Sequence, residues 1–170
     1  MGLKAAADRL AVMLATGLYL SYIPLKLFEV LRFPRLRIGT GAGLIGTIEG
    51  LLVTPVLPEG SIRFSFFLIA AALLSCWLCG RAEKVLGNHD DSRIVLDEMA
   101  GFWTAIAFLP RNPWTLGAAF VLFRILDSLK PWPVRRLENL PGGLGVVADD
   151  LGAGIYANLL VYPLLPWLTS

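Results

Sequence analysis

The chain has 170 residues, 56% hydrophobic and 16% charged, with a mean hydropathy of +0.66 and a formal net charge of +2. An ordinary soluble domain is about 45–50% apolar and about 25% charged, so the apolar excess is more than one small core can bury and lipid is expected as a second solvent. The length suits one domain over residues 1–170, and so small a net charge offers nothing to a nucleic acid, so no nucleic-acid partner is expected.

The apolar stretches, in chain order, are residues 10–25, 43–57, 64–80, 99–110, 113–126 and 151–168. They are rich in Leu, Ala, Phe and Ile and lack period-2 alternation, which predicts helices and no strands. The first ten residues lack a small-residue cleavage site, so no removable signal peptide is expected. Cys76 and Cys79 form a C-x-x-C inside an apolar run, without a second Cys or His pair to complete a zinc site. Two buried thiols on one helix are expected there. Most runs fall short of the roughly 20 residues of a membrane-spanning helix. Residues 99–110 alone are short enough for a buried or re-entrant helix and reach that length only if extended back through Ile94, and the run from Pro113 does so only if it continues to Leu129.

The polar connectors predict an orientation. Lys26, Arg32, Arg35 and Arg37 lie between the first two runs, Arg81, Lys84 and Arg93 after the third, and Lys130, Arg135 and Arg136 before the last. The positive-inside rule puts these three connectors in the cytoplasm. The alternate connectors, 58–63 and 111–113, make tight turns on the far side. Residues 43–80 and 94–129 are then two helical hairpins, followed by a last helix from 151. Residues 5–25 are flanked by cations at both ends, so this segment is expected to be re-entrant or interfacial, broken near Gly17 and Pro24. The expected fold is an all-α, membrane-embedded helical bundle of about four to five transmembrane helices plus that N-terminal segment.

Every acidic cluster then falls on the cytoplasmic side: Asp97-Glu98, Asp127 and Asp149-Asp150. Charge beside hydrocarbon is expensive and usually has a partner. Three carboxylate clusters converging from helix ends would suit a hard cation such as Mg²⁺. On a helix starting near Ser92, Asp97 shares a face with Arg93 and Gly101, and Gly101 leaves room for a metal or another helix. The alternative is that Asp97 and Glu98 only solvate a helix end. Arg124, Asp127 and Lys130 recur every three residues, placing an acid between two cations on one broad face. That suits a metal ligand flanked by phosphate-binding groups, or else an intrahelical ion-pair ladder. Gly142, Gly143 and Gly145 precede Asp149-Asp150, so the glycines would allow close approach to an anion or a helix, and either aspartate could be an N-cap. Thr16 and Thr40 lie in Gly-bearing segments that offer hydroxyls and N–H groups to phosphate or simply break helices. His89 is the single histidine and a candidate proton donor. Glu49, alone in an apolar run, faces the bundle interior.

The strings IVLDEMAGFW, FRILDSLKPWP and GGLGVVADDLGAG resemble the phosphatidylglycerophosphatase A family, in family order and spacing, over about residues 80–160. The segments around Leu14–Gly17 and Tyr22–Pro24 resemble the family's opening more loosely. Residues 25–37 look like an insertion, and Ile38 stands where the family has proline. The resemblance implies a Mg²⁺-dependent phosphatase of the bacterial inner membrane that converts phosphatidylglycerophosphate to phosphatidylglycerol.

The expected mechanism is phosphomonoester hydrolysis by metal-activated water. Asp97, Glu98, Asp127, Asp149 and Asp150 share metal binding and water activation. Arg124 and Lys130, with Arg93, Thr16 and Thr40 nearby, bind the substrate phosphate, and His89 or solvent protonates the leaving glycerol. No C-x₅-R or D-x-D motif supports a covalent intermediate. The rival reading, a cation carrier, would place the carboxylates at mid-span rather than at helix ends.

Overall fold

The computed structural model describes residues 2–30, 41–89 and 91–169, and no strand occurs among them. The helices are α1 (Gly2–Ala15), α2 (Tyr22–Val30), α3 (Ala42–Val53), α4 (Ser61–Leu86), α5 (Leu96–Ala105), α6 (Pro113–Leu129), α7 (Gly143–Val161) and the short α8 (Leu165–Leu168). Three 3₁₀ turns, Thr54–Val56, Val134–Asn139 and Tyr162–Leu164, join or extend them.

Only α4 and the α7–α8 stretch Gly143–Leu168, 26 residues each, are long and apolar enough to cross a bilayer among the described residues. Each spans about 39 Å at about 1.5 Å per residue. Of the most apolar window of α4, 22% is buried inside the protein, against 50% for α7–α8. The remaining expected spans are shorter: 12 residues in α3, 10 in α5 and 17 in α6.

The core forms where small residues let helices approach. Gly101 of α5 lies against Phe123 and the Asp150 carbonyl, and Gly154 of α7 lies against the Gly101 carbonyl. A β-carbon at either position would collide, so α5 and α7 cross at close range. Phe102, Ile106, Phe123, Ala153, Ala157 and Val161 fill the space around that crossing. Asn158 donates to the carbonyls of Ala105 at 3.0 Å and Ala107 at 2.8 Å, satisfying groups left open at the end of α5. Trp103 Nε1 donates to the Gly50 carbonyl at 3.0 Å and ties α5 to α3.

The two short connectors meet at one end of the bundle. Arg111 donates to the carbonyls of Leu57 at 2.9 Å and Pro58 at 2.8 Å, with its guanidinium 5.0 Å from the Phe64 ring centroid. One side chain thus clamps the α3–α4 turn to the α5–α6 turn.

Several sequence expectations need correction. α5 begins at Leu96, not near Ser92, and ends at Ala105, so it is not a full span. Asp91 is the reason: its carboxylate accepts from the Arg93 N–H at 3.0 Å and its carbonyl from the Ile94 N–H at 2.8 Å. These bonds close a turn, and the Val95 N–H then goes to the Ala15 carbonyl at 2.8 Å. Arg93 therefore lies outside the helix that carries Asp97. At the other end, α7 begins at Gly143, six residues before Asp149, so neither aspartate is an N-cap. Gly142, with φ of 59°, turns the chain, and Gly143 packs on the Cys76 carbonyl and Gly80 of α4. Gly143 and Gly145 belong to a helix rather than a loop, and no side chain larger than hydrogen fits at Gly143. The N-terminal segment is broken, as expected, at residues 16–21, where Gly17, Leu18 and Tyr19 all have positive φ. Pro24 is not part of that break, because it lies in the first turn of α2, which tolerates proline. Thr40 and most of the 25–37 insertion fall outside the described residues.

Candidate active site

Two helices deliver three carboxylates to one point. Asp97 and Glu98 lie in the first turn of α5 and Asp150 in the second turn of α7. One oxygen from each lies within 4.8 Å of the others. Asp97 and Asp150 are buried, and Glu98 is half-buried with its Oε2 enclosed and without a hydrogen-bond partner. The Gly101–Gly154 crossing sets this spacing by bringing the two backbones together just below the acids.

Asp127, in the last turn of α6, neighbours Asp150 and holds the Arg124 guanidinium at 2.9 Å. Arg124 also donates to Thr47 Oγ1 on α3 at 3.3 Å. Gly43, one turn before Thr47, lies where a β-carbon would strike Glu98 and crowd Arg124. The first turn of α3 therefore forms a third side of the cluster. Gly43 closes the Gly-bearing segment around Thr40 that the sequence offers to phosphate, whereas Thr47 is not marked by any motif; its i, i+4 spacing from Gly43 on an apolar segment is the available signal.

Asp149 is separate. It lies one residue from Asp150, about 100° around the helix, and its Oδ2 is 2.6 Å from Lys130 Nζ. Lys130 caps α6 with φ of 44° and also pairs with Glu138. Burial works against the charge of Lys130, but its bonds to Asp149 and Glu138 outweigh it and hold the ammonium above the usual lysine range.

The other candidates are engaged by residues outside the triplet. His89 is exposed in the connector after α4, with Nδ1 2.6 Å from Glu83 Oε1. Arg93 is engaged by Asp91 at 2.6 Å and lies 6.0 Å from the Tyr22 ring centroid. Two charge-assisted bonds and one backbone N–H hold the Asp91 carboxylate down to about 2, with Arg93 the main cause. Thr16 is fully buried, its hydroxyl donating to the Met13 carbonyl at 3.4 Å. Ser21 Oγ donates to the Arg93 carbonyl at 2.7 Å, so the N-terminal turn is fastened to the segment that leads into Asp97.

The donor set at Asp97, Glu98 and Asp150 is all carboxylate oxygen. Like charges enclosed at this spacing are costly without a counter-cation. The orphaned Glu98 Oε2 and the absence of His or Cys donors from the triplet fit a hard divalent ion such as Mg²⁺.

The family model for phosphatidylglycerophosphatase A matches residues 13–165, a stretch that contains all five acids. The chain belongs to the phosphatidylglycerophosphatase A family. It is 39% identical over 132 residues to the phosphatidylglycerophosphatase A of Haemophilus influenzae, covering 76% of this chain and 80% of that protein. It is 36% identical over 139 residues to the Escherichia coli protein of the same name, covering 75% and 80%. A Bacteroides thetaiotaomicron relative named "Putative phosphatidylinositol-3-phosphatase" is 35% identical over 128 residues, covering 72% and 80%. No solved structure is a significant match. Membership in the phosphatidylglycerophosphatase A family makes the chain a phosphoric monoester hydrolase by class, and the acids gathered from α5, α6 and α7 are its candidate machinery.

Proposed function

We propose that this chain hydrolyses phosphatidylglycerophosphate to phosphatidylglycerol and inorganic phosphate, with Mg²⁺ as cofactor, at the cytoplasmic face of the bacterial inner membrane. The observation that carries this reading is the meeting of Asp97, Glu98 and Asp150 in a chain of this family. The mostly unburied apolar window of α4 supports the membrane setting, because so large an apolar surface calls for lipid. In this reading α4 and α7 span the bilayer, the shorter α3, α5 and α6 complete a multi-pass bundle, and α1, its turn and α2 form the re-entrant or interfacial segment.

Asp97, Glu98 and Asp150 would hold the ion, with Asp127 beside them and Asp149 behind. A bound Mg²⁺ supplies Lewis acidity toward the phosphate and lowers the pKa of coordinated water. Arg124 takes the non-bridging phosphate oxygens. Its planar fork carries five N–H donors, so the bonds to Asp127 and Thr47 do not exhaust it. Lys130, fixed by Asp149 and Glu138, adds a second positive charge and stabilises charge that grows on the phosphate. Water attacks phosphorus in line, and its proton passes to the carboxylate cluster. The bond from phosphorus to the glycerol oxygen breaks, and that oxygen takes a proton from His89 or solvent.

The test is phosphate release by purified protein in detergent micelles, offered phosphatidylglycerophosphate, phosphatidic acid and phosphatidylinositol 3-phosphate in turn. Release should be fastest from phosphatidylglycerophosphate, stop with chelator and return with Mg²⁺. Full rate in chelator would remove the metal from the mechanism. Preference for the inositol lipid would reassign the substrate.

A further inference from the structure

A groove of about 620 Å³ runs beside the acid cluster, between the N-terminal turn, α3, α4 and α5. Its α5 wall is Leu96, Met99 and Trp103, an i, i+3, i+7 stripe that starts one residue before Asp97. Its α4 wall is Phe67, Ala71, Leu74 and Leu78, a stripe about 16 Å long at about 1.5 Å per residue. The groove therefore begins at Leu96, level with the carboxylates but on the neighbouring face of α5, about 100° around the helix from Asp97, and runs along the helices away from them. Glu49 and Ser75 are the polar side chains among its lining residues. Ala70 and Ala71 provide width in the α4 wall. On the open side, Leu18, Leu52 and Leu74 are 63, 72 and 54% exposed, so a ligand can enter laterally from the surrounding hydrocarbon.

We infer that this groove holds one acyl chain of the lipid phosphomonoester while its phosphate lies at Asp97, Glu98 and Asp150. The inference rests on the lipid phosphatase reading above and adds a specificity element to it. The lining suits a long uncharged chain, and Leu96 at the end of the groove is the chain neighbour of Asp97, so a head group need only bend around α5 to reach the place in the described protein where three acids converge. A chain leaving the bilayer for a protein groove gains little hydrophobic energy, since both surroundings are apolar. Its contribution is positional: a chain held along α4 fixes where the head group can reach, and small misplacements of a reacting group are expensive.

The experiment has two arms. In the first, Ala70→Phe narrows the groove, and Ile69→Phe serves as control on the outer face of α4, where Ile69 is 60% exposed. Both are assayed with dipalmitoyl and dihexanoyl phosphatidylglycerophosphate. The long-to-short ratio of kcat/KM should fall about tenfold or more in Ala70→Phe and stay at the wild-type value in Ile69→Phe. In the second arm, wild-type protein is irradiated with phosphatidylglycerol carrying a diazirine at mid-chain, and adducts are mapped by mass spectrometry. Adducts should concentrate on Ala70, Leu74, Met99 and Trp103. An unchanged ratio, or adducts spread evenly over Phe66, Ile69, Leu73 and Trp77, would overturn the inference. Absence of phosphate release from both wild-type substrates would instead sink the phosphatase reading, and the adduct map would still report on the groove.

Discussion

Lys130 Nζ at the end of α6 lies 2.6 Å from Asp149 Oδ2, whereas Asp150, the next residue, joins Asp97 and Glu98 from α5. Two adjacent aspartates thus face two different neighbours. Asp150→Asn should lower phosphate release by about 100-fold or more, as expected when charge stabilisation at a reacting centre is lost. Asp149→Asn should cost about tenfold, through a Lys130 that is no longer held in place. Lys130→Ala combined with Asp149→Asn should be little worse than Lys130→Ala alone, because Asp149 acts through Lys130 and partners in one network are not additive. Steady-state rates of the four variants check this; additive losses would separate the two residues.

The half-saturating Mg²⁺ concentration should depend on the triplet. Asp97→Asn and Glu98→Gln keep volume and remove one ligand charge each, so each should raise it by about tenfold or more. Cys76→Ala should leave it unchanged. Isothermal titration with Mg²⁺ alone reads the same shift without turnover. Equal affinity in wild type and Glu98→Gln would take Glu98 out of the ligand set.

Gly43→Ala places a methyl group against Glu98 and Arg124. The side chains must move apart, and a displacement of about 1 Å in positioned groups typically lowers turnover by about 100-fold. Gly117→Ala, with open space around its β-carbon, is the matched control and should keep the wild-type rate. A fully active Gly43→Ala enzyme would show that the first turn of α3 does not confine the cluster.

Asp91 should make stability depend on acid pH. Its folded value of about 2 lies below the roughly 3.9 of an unfolded aspartate. A depressed carboxylate stabilises the fold above the unfolded value, and that contribution disappears as pH falls toward the folded one. Asp91→Asn should therefore melt lower than wild type at pH 7, by an amount reflecting about 2 kcal/mol. The gap should narrow once pH drops below about 4. Melting curves in detergent between pH 7 and pH 3 measure it, and a gap constant across that range would contradict the clamp.

Arg135 is exposed in the connector between α6 and α7, on the side where the acids gather. In a background lacking Cys76 and Cys79, Arg135→Cys should react with an impermeant thiol reagent in inside-out vesicles and not in right-side-out ones. The opposite pattern would reverse the orientation and remove the site from the cytoplasm.

The apolar runs specify the helices by themselves, because helical hydrogen bonds close within four residues and depend on local composition. Hence α6 ends at Leu129 just before Pro131, and no strand interrupts the described chain. The acid motifs, and through them the family, are equally a property of linear order. Which acids meet is not. Asp149 and Asp150 are equivalent in sequence, and only the crossing of α5 and α7 at Gly101 and Gly154 turns Asp150 toward Asp97 and Asp149 toward Lys130. The start of α5 at Leu96 depends on a turn closed by Asp91 and fastened to Ala15, 80 positions away in the numbering. The start of α7 at Gly143 depends on the Cys76 carbonyl and Gly80 of α4. Contacts between helices are set by which small residues face each other across a crossing, and that pairing has no signature within either helix alone.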